Sequence, residues 1–144
     1  MADLTYTNFS LALSDAAFDW DNVGQTYRVL LATTSYVPDQ DTHIFVSSVT
    51  NELSGGGYVR KDITNRSSSK DNANNRTNWM ADCPTWSAIT GTWRWAIVYK
   101  FVTNDADSLL MRAIDLTAVT SSGGDFLLKW DGQTSNGAVF RIAV

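Results

Sequence analysis

Glutamate, cysteine and histidine each occur once in this chain, as Glu52, Cys83 and His43, and there are only two prolines. A lone cysteine excludes an intramolecular disulfide and any CxxC metal or redox site. A free thiol in a globular chain is expected to be buried and inert. With one histidine, any Ser–His or Cys–His pair would have to run through His43. No serine or cysteine sits in an activating context such as G-x-S-x-G. No stretch approaches the roughly 18 apolar residues of a membrane span. The opening Met1-Ala2-Asp3-Leu4-Thr5 carries neither a basic region nor an apolar core, so no secretory leader is expected and the compartment of synthesis reads as cytoplasm-like. The formal charge of −4 comes without clustered Lys and Arg, which argues against a phosphate-binding footprint and against a nucleic-acid partner.

The acidic residues other than Glu52 are all Asp. Asp serves turns and caps where Glu serves helix faces, so the bias points away from a helical protein. What is abundant agrees. Aromatics make up 12% of the chain, six of them Trp, and short β-patterned runs alternate with Gly, Asn, Asp and Ser clusters. Thr92-Trp93-Arg94-Trp95-Ala96-Ile97-Val98-Tyr99-Lys100-Phe101 is the clearest strand, and Asp131-Gly132 and Asn136-Gly137 are the clearest turns. At 144 residues the chain is long enough to bury its own core without staples.

Residues 1–14 read as a short helix or arm, with Thr7-Asn8 as the cap and Phe9 and Leu13 on one side, although Phe9, Leu11 and Leu13 also alternate like a strand. Ala17–Trp20 and Gln25–Thr34 read as a hairpin about Asp21-Asn22-Val23-Gly24. Asp41 or Thr42 is placed to cap a short helix through Ser47. Gly55-Gly56-Gly57 closes that connector, and Tyr58–Ile63 resumes as a strand. Ser67–Asn75 is an exposed loop or an edge, and Arg76–Cys83 a half-buried strand ended by Pro84. Turns are expected at Ile89-Thr90-Gly91, Asn104–Asp107 and Ser121–Gly124, with further strands at Leu109–Leu116, Phe126–Trp130 and Ala138–Val144. The spacing predicts an all-β fold: one antiparallel β-sandwich domain over residues 1–144, jelly-roll-like, with eight or nine short strands and one or two short helices.

Chemistry-bearing constellations are sparse. Asp39-x-Asp41-x-His43 would point three ligands to one face of a strand, but turn and cap chemistry accounts for it, and no metal is expected. Asp105 with Asp107, or Asp125 with Asp131, offers paired carboxylates that turns explain better. Ser54-Gly55-Gly56-Gly57 lacks the Lys-Ser/Thr ending of a phosphate loop. No catalytic residue and no cofactor site is assigned. The aromatics are the better case: Trp93 and Trp95 share a strand face and read as core, whereas Trp86, beside a proline turn, suits exposure as well as burial. Trp86, Trp79 and Tyr58 are therefore the candidate interface residues.

Val29-Leu30-Leu31-Ala32-Thr33-Thr34-Ser35-Tyr36-Val37-Pro38-Asp39 resembles a family of small virion proteins encoded among the structural genes of tailed bacteriophages. The resemblance continues through Asn51–Tyr58, Asn75–Trp79, Asp82–Trp86 and Gly123–Trp130, in the same order. It implies a non-enzymatic virion component, foremost a head decoration (cement) protein. Such a protein binds the major capsid protein lattice on the head exterior, as a small homo-oligomer with a trimer foremost, after assembly in the host cytoplasm. Composition and charge, as above, lead to the expectation of no membrane and no nucleic-acid partner. A tail, collar or head-fibre module is the alternative within the same class, and a carbohydrate-binding β-sandwich module is the alternative outside it.

Overall fold

The alternating run Thr26–Ala32 forms β2 of a computed structural model that describes residues 2–143. Tyr27, Val29 and Leu31 point to one side and Leu30 and Ala32 to the other, and all five are buried. A strand with both faces buried belongs in the middle of a sheet covered on both sides. Its register partners are β6 (Thr85–Phe101), from Thr26 opposite Phe101 to Ala32 opposite Trp95, and the two-residue β3 (Lys61–Asp62). With β7 (Leu109–Leu127) and β1 (Leu4–Thr5) the order is β1-β7-β6-β2-β3. A second sheet, β4-β5-β8, comprises Ser67–Asp71, Arg76–Asp82 and Asn136–Ala143. All pairings are antiparallel. The chain is an all-β sandwich of eight strands among the described residues, with one α-helix, α1 (Thr7–Ser14).

The main core lies between the sheets. Trp79 and Phe140 from the smaller sheet meet Val29, Leu31, Val98 and Met111 from the larger one, and Phe9 of α1 joins them 5.0 Å from the Phe140 ring. A second core covers the opposite face of the larger sheet. There Trp95, Ile97, Tyr99 and Leu110 pack under Tyr6, Tyr36 and Val46. The Tyr6 and Tyr36 hydroxyls hydrogen-bond inside it at 2.9 Å, which satisfies two groups that would otherwise be stranded there.

Several local expectations are corrected. Ala17–Trp20 forms no strand and no hairpin. Arg66 donates to the carbonyls of Trp20, Asn22 and Gln25, and Trp20 Nε1 donates to Met80 O, so the segment is tied to the smaller sheet as irregular chain. The helix expected from Asp41 or Thr42 through Ser47 is replaced by one 3₁₀ turn, Val46–Ser48. Tyr58–Ile63 shrinks to Lys61–Asp62. Ile89–Gly91 and Ser121–Gly124 are not turns: they run inside β6 and β7, which are 17 and 19 residues long rather than short. Phe126 and Leu127 end β7, while Trp130–Gly132 is a 3₁₀ turn. Val144, assigned to the last strand, lies outside the described residues. The Asn104–Asp107 turn does form, pinned by fully buried Ser108, whose hydroxyl donates to Asn104 O and accepts from Val102 N.

Candidate functional surface

The three candidate interface residues do not form a surface. Trp86 is 1% exposed, donates from Nε1 to Val59 O at 2.6 Å and stacks on Phe126 with ring centroids 5.6 Å apart. Trp79 is buried against Trp20, stacked at 5.3 Å and 13°, with the edges of Phe9 and Phe140 beside it. Both belong to the main core, where a large ring removes the most apolar area from water. Tyr58 is half-buried. Its hydroxyl donates to Glu52 Oε1 at 2.7 Å and accepts Leu31 N–H, and burial pushes its ionisation well above the usual phenol range. Trp93 and Trp95 are core residues as expected, but in different cores. Leu116, Thr117 and Ala118 of β7 bulge opposite Arg94, and the alternation of β6 changes phase between the two indoles.

The candidate acids and the histidine make structural contacts. Asp39 Oδ1 accepts the Asp41 and Thr42 N–H groups, which holds the Asp39 carboxyl below its usual range. His43 Nδ1 lies 3.0 Å from the Tyr36 hydroxyl and its ring stacks on Tyr36. Among the described residues no group of three His, Cys, Asp or Glu is arranged to hold a metal. Asp107 accepts from Asn104, Asp125 accepts Ala88 N–H, and Asp131 pairs with Arg141. Half-buried Cys83 lies against the Gln133 carbonyl at 3.2 Å. Arg60 joins Glu52 and Asp105 through both sides of its guanidinium at 2.6–2.9 Å, fastening the glycine-containing connector to the β6–β7 turn. The sequence hinted at this clamp only through the singularity of Glu52. A cleft between the β1 and β8 edges is lined by Asp3, Arg112, Asp131 and Arg141. There Arg112 is engaged by Asp3 and Val139 O, and Arg141 by Asp131.

The long β6–β7 ribbon presents an exposed face of uniform chemical character. From Thr85 to Trp93 and from Leu116 to Gly124 there is no charged residue. Ile89 and Trp93 turn inward and are buried, while Thr90, Thr92, Thr120 and Ser122 lie on the outer face and are exposed. Thr90 pairs with Ser122 and Thr92 with Thr120, and the last pair hydrogen-bonds at 2.9 Å. Both ends of the ribbon are fixed. Asp125 accepts Ala88 N–H where φ is +52°, and Asp115 accepts Thr117 N–H beside the left-handed pair Thr117 and Ala118 at φ +55° and +46°. The Arg94 fork on Asp115, at 2.9 and 2.7 Å, holds that carboxyl well below the usual range despite its burial. The result is a stiff face of hydroxyls that presents donors and acceptors without charge. Sequence reading missed it because its Ser and Gly residues resemble a turn. The absence of charge over nine residues was the available signal.

No family model, curated protein or solved structure matches the chain.

Proposed function

We propose that this chain is a non-enzymatic structural protein of a tailed-phage virion, most specifically a head decoration (cement) protein. In this reading it adheres to the outer capsid lattice as a homo-oligomer and stabilises it. The reading is carried by the uncharged hydroxyl face of the β6–β7 ribbon, held rigid over a core of buried Trp86, Ile89 and Trp93. A surface already ordered before contact loses little conformational entropy on docking. Many modest contacts repeated over a lattice add up to firm attachment. The ordered resemblance from Val29 to Trp130 supports the phage assignment. The engagement of the acids and His43 in turns, caps and ion pairs supports adhesion over turnover. The carbohydrate-binding alternative rested on an exposed Trp86, and that ring is in the core.

Purified expanded heads lacking the protein test the proposal directly. They are expected to take it up saturably, in a ratio set by the lattice. Absence of uptake by heads overturns the head assignment, and labels confined to the tail in immunogold images of virions would transfer the role there.

A further inference from the structure

The two long edges of the β6–β7 ribbon are treated differently. On the β6 side the triple-glycine connector closes the edge: Thr90 N–H donates to Gly56 O at 2.7 Å. Gly56, at φ +56°, approaches so closely that a Cβ there would lie 2.1 Å from Thr90 O. On the β7 side, β1 covers Arg112 and Ala113, and among the described residues no strand pairs beyond them.

The covered edge fixes the orientation of the uncovered one. Because Thr90 turns its N–H and C=O away from β7, it and Ser122 form a non-hydrogen-bonded antiparallel pair. Ser122 therefore turns its own N–H and C=O away from β6, to the open side, and so does Thr120, two residues along in unbroken register. Unpaired strand edges are ordinarily guarded by charge, proline or brevity. The outer strand of the smaller sheet, β4, carries Lys70 and Asp71. Leu116–Gly124 carries no charged residue and no proline.

We propose that the β7 edge over Val119–Ser122 pairs with the same edge of a second copy, in an antiparallel two-fold dimer. A register centred on Ser121 sets Thr120 opposite Ser122 of the other copy and the reverse, so the outward backbone groups meet reciprocally. The facing side chains are small hydroxyls, and Thr–Ser pairs across strands are favourable. In a chain of net charge −4, this neutral strip is where two copies approach at least electrostatic cost. The pairing is self-limiting. Left-handed Thr117 and Ala118 interrupt the edge on one side and Gly123, at φ +79°, on the other. Each copy offers one such edge, so the contact closes at two rather than growing into a fibre. It would also join two hydroxyl faces into one broader surface. The inference goes beyond the virion reading and does not require it.

Such a short strand pair buries less than a standard interface, so association is expected in the range of ~10 µM to ~1 mM. Sedimentation velocity across that range should show the mean mass rising from monomer towards twice monomer. Ser122→Pro removes an edge donor where proline is tolerated. Thr120→Lys puts like charges close together across the two-fold axis. Each should weaken association by about tenfold or more while the near-ultraviolet dichroism of the buried tryptophans stays unchanged. Ser69→Lys, on the edge strand already guarded by Lys70, should associate like the parent chain. A parent chain that stays monomeric up to ~1 mM overturns the proposal. So does association that both folded edge variants retain in full, or a trimer indifferent to them. Monomeric Ser122→Pro that still decorates heads would separate this contact from the head-binding role.

Discussion

Trp86 and Trp93 are both fully buried indoles on β6, and they differ in one hydrogen bond. Trp86 Nε1 donates to Val59 O, whereas Trp93 Nε1 is buried without a hydrogen-bond partner among the described residues. Replacing either by Phe removes similar volume, but only Trp86→Phe removes a hydrogen bond. Its cost in urea unfolding is expected to exceed that of Trp93→Phe by about 1–2 kcal/mol; equal costs would mean that the Val59 contact contributes little. Asp115 provides a second residue-level prediction. Its folded carboxyl titrates well below the ordinary 3.8 because Arg94 grips both oxygens. In the unfolded chain it takes up a proton near 3.8, so between the two values the unfolded state binds more protons. The stabilisation is complete above that range and is lost as pH falls towards the folded value. Asp115→Asn should therefore flatten the decline in Tm below pH ~4; an unchanged acid limb would assign that decline to other carboxylates. None of these pairings was legible in the sequence. Arg94 and Asp115 are 21 residues apart, and only the β6–β7 register brings them together. The burial of Trp86 was equally hidden, because a ring beside a proline turn carries no periodic signal of its own.

The elements themselves were far more legible where period and chemistry agreed. The strands at Thr26–Ala32 and Arg76–Asp82 lie close to where alternation puts them, and α1 lies where Phe9 and Leu13 suggest. Sequence and structure part where glycine and serine carry a turn signal inside a strand. Gly91, at φ +148°, lies within β6, and a Cβ there would meet the Leu53 side chain at 2.9 Å. A long antiparallel ribbon carries such residues in register, as at Gly91 opposite Ser121, or in a bulge, as at Gly123 between the partners of Ile89 and Thr90. The triple glycine is a case in point, since its members have different reasons to be glycine. Gly55 has open space around its Cβ position, so Gly55→Ala carries only left-handed strain, about 1 kcal/mol. Gly56→Ala adds a clash with Thr90 O and is expected to cost at least ~2 kcal/mol more, lowering the urea midpoint accordingly. At Thr117 the strain runs the other way. A β-branched residue at φ +55° is unusual, and Thr117→Gly should raise stability by ~0.5–1 kcal/mol. A loss of stability there would show that the threonine side chain contributes more than its backbone strain costs.

For the molecule as a whole, charge and contact surface are separated in space. The described ion pairs are Arg28–Asp62, Arg60 with Glu52 and Asp105, Arg76–Asp71, Arg94–Asp115, Arg112–Asp3 and Arg141–Asp131; none has a member within Thr85–Trp93 or Leu116–Gly124, and Arg94–Asp115 closes one end of the hydroxyl face. That separation gives the proposed attachment a distinctive salt dependence. Contacts between charged surfaces weaken steeply once the screening length falls from ~10 Å at 0.1 M towards a few ångströms. Hydrogen bonds between neutral hydroxyls and packed apolar surface do not. Uptake by purified heads is therefore expected to change less than about threefold in affinity between ~50 and ~500 mM NaCl. Thr92→Lys, exposed on the ribbon and away from both cores, should reduce uptake and restore the salt dependence by placing a charge in the contact. A drop of tenfold or more for the parent chain over the same range would move the contact off the hydroxyl face and onto one of the charged ones. Uptake by Thr92→Lys equal to that of the parent would do the same, because a neutral docking face cannot accept an uncompensated ammonium without cost.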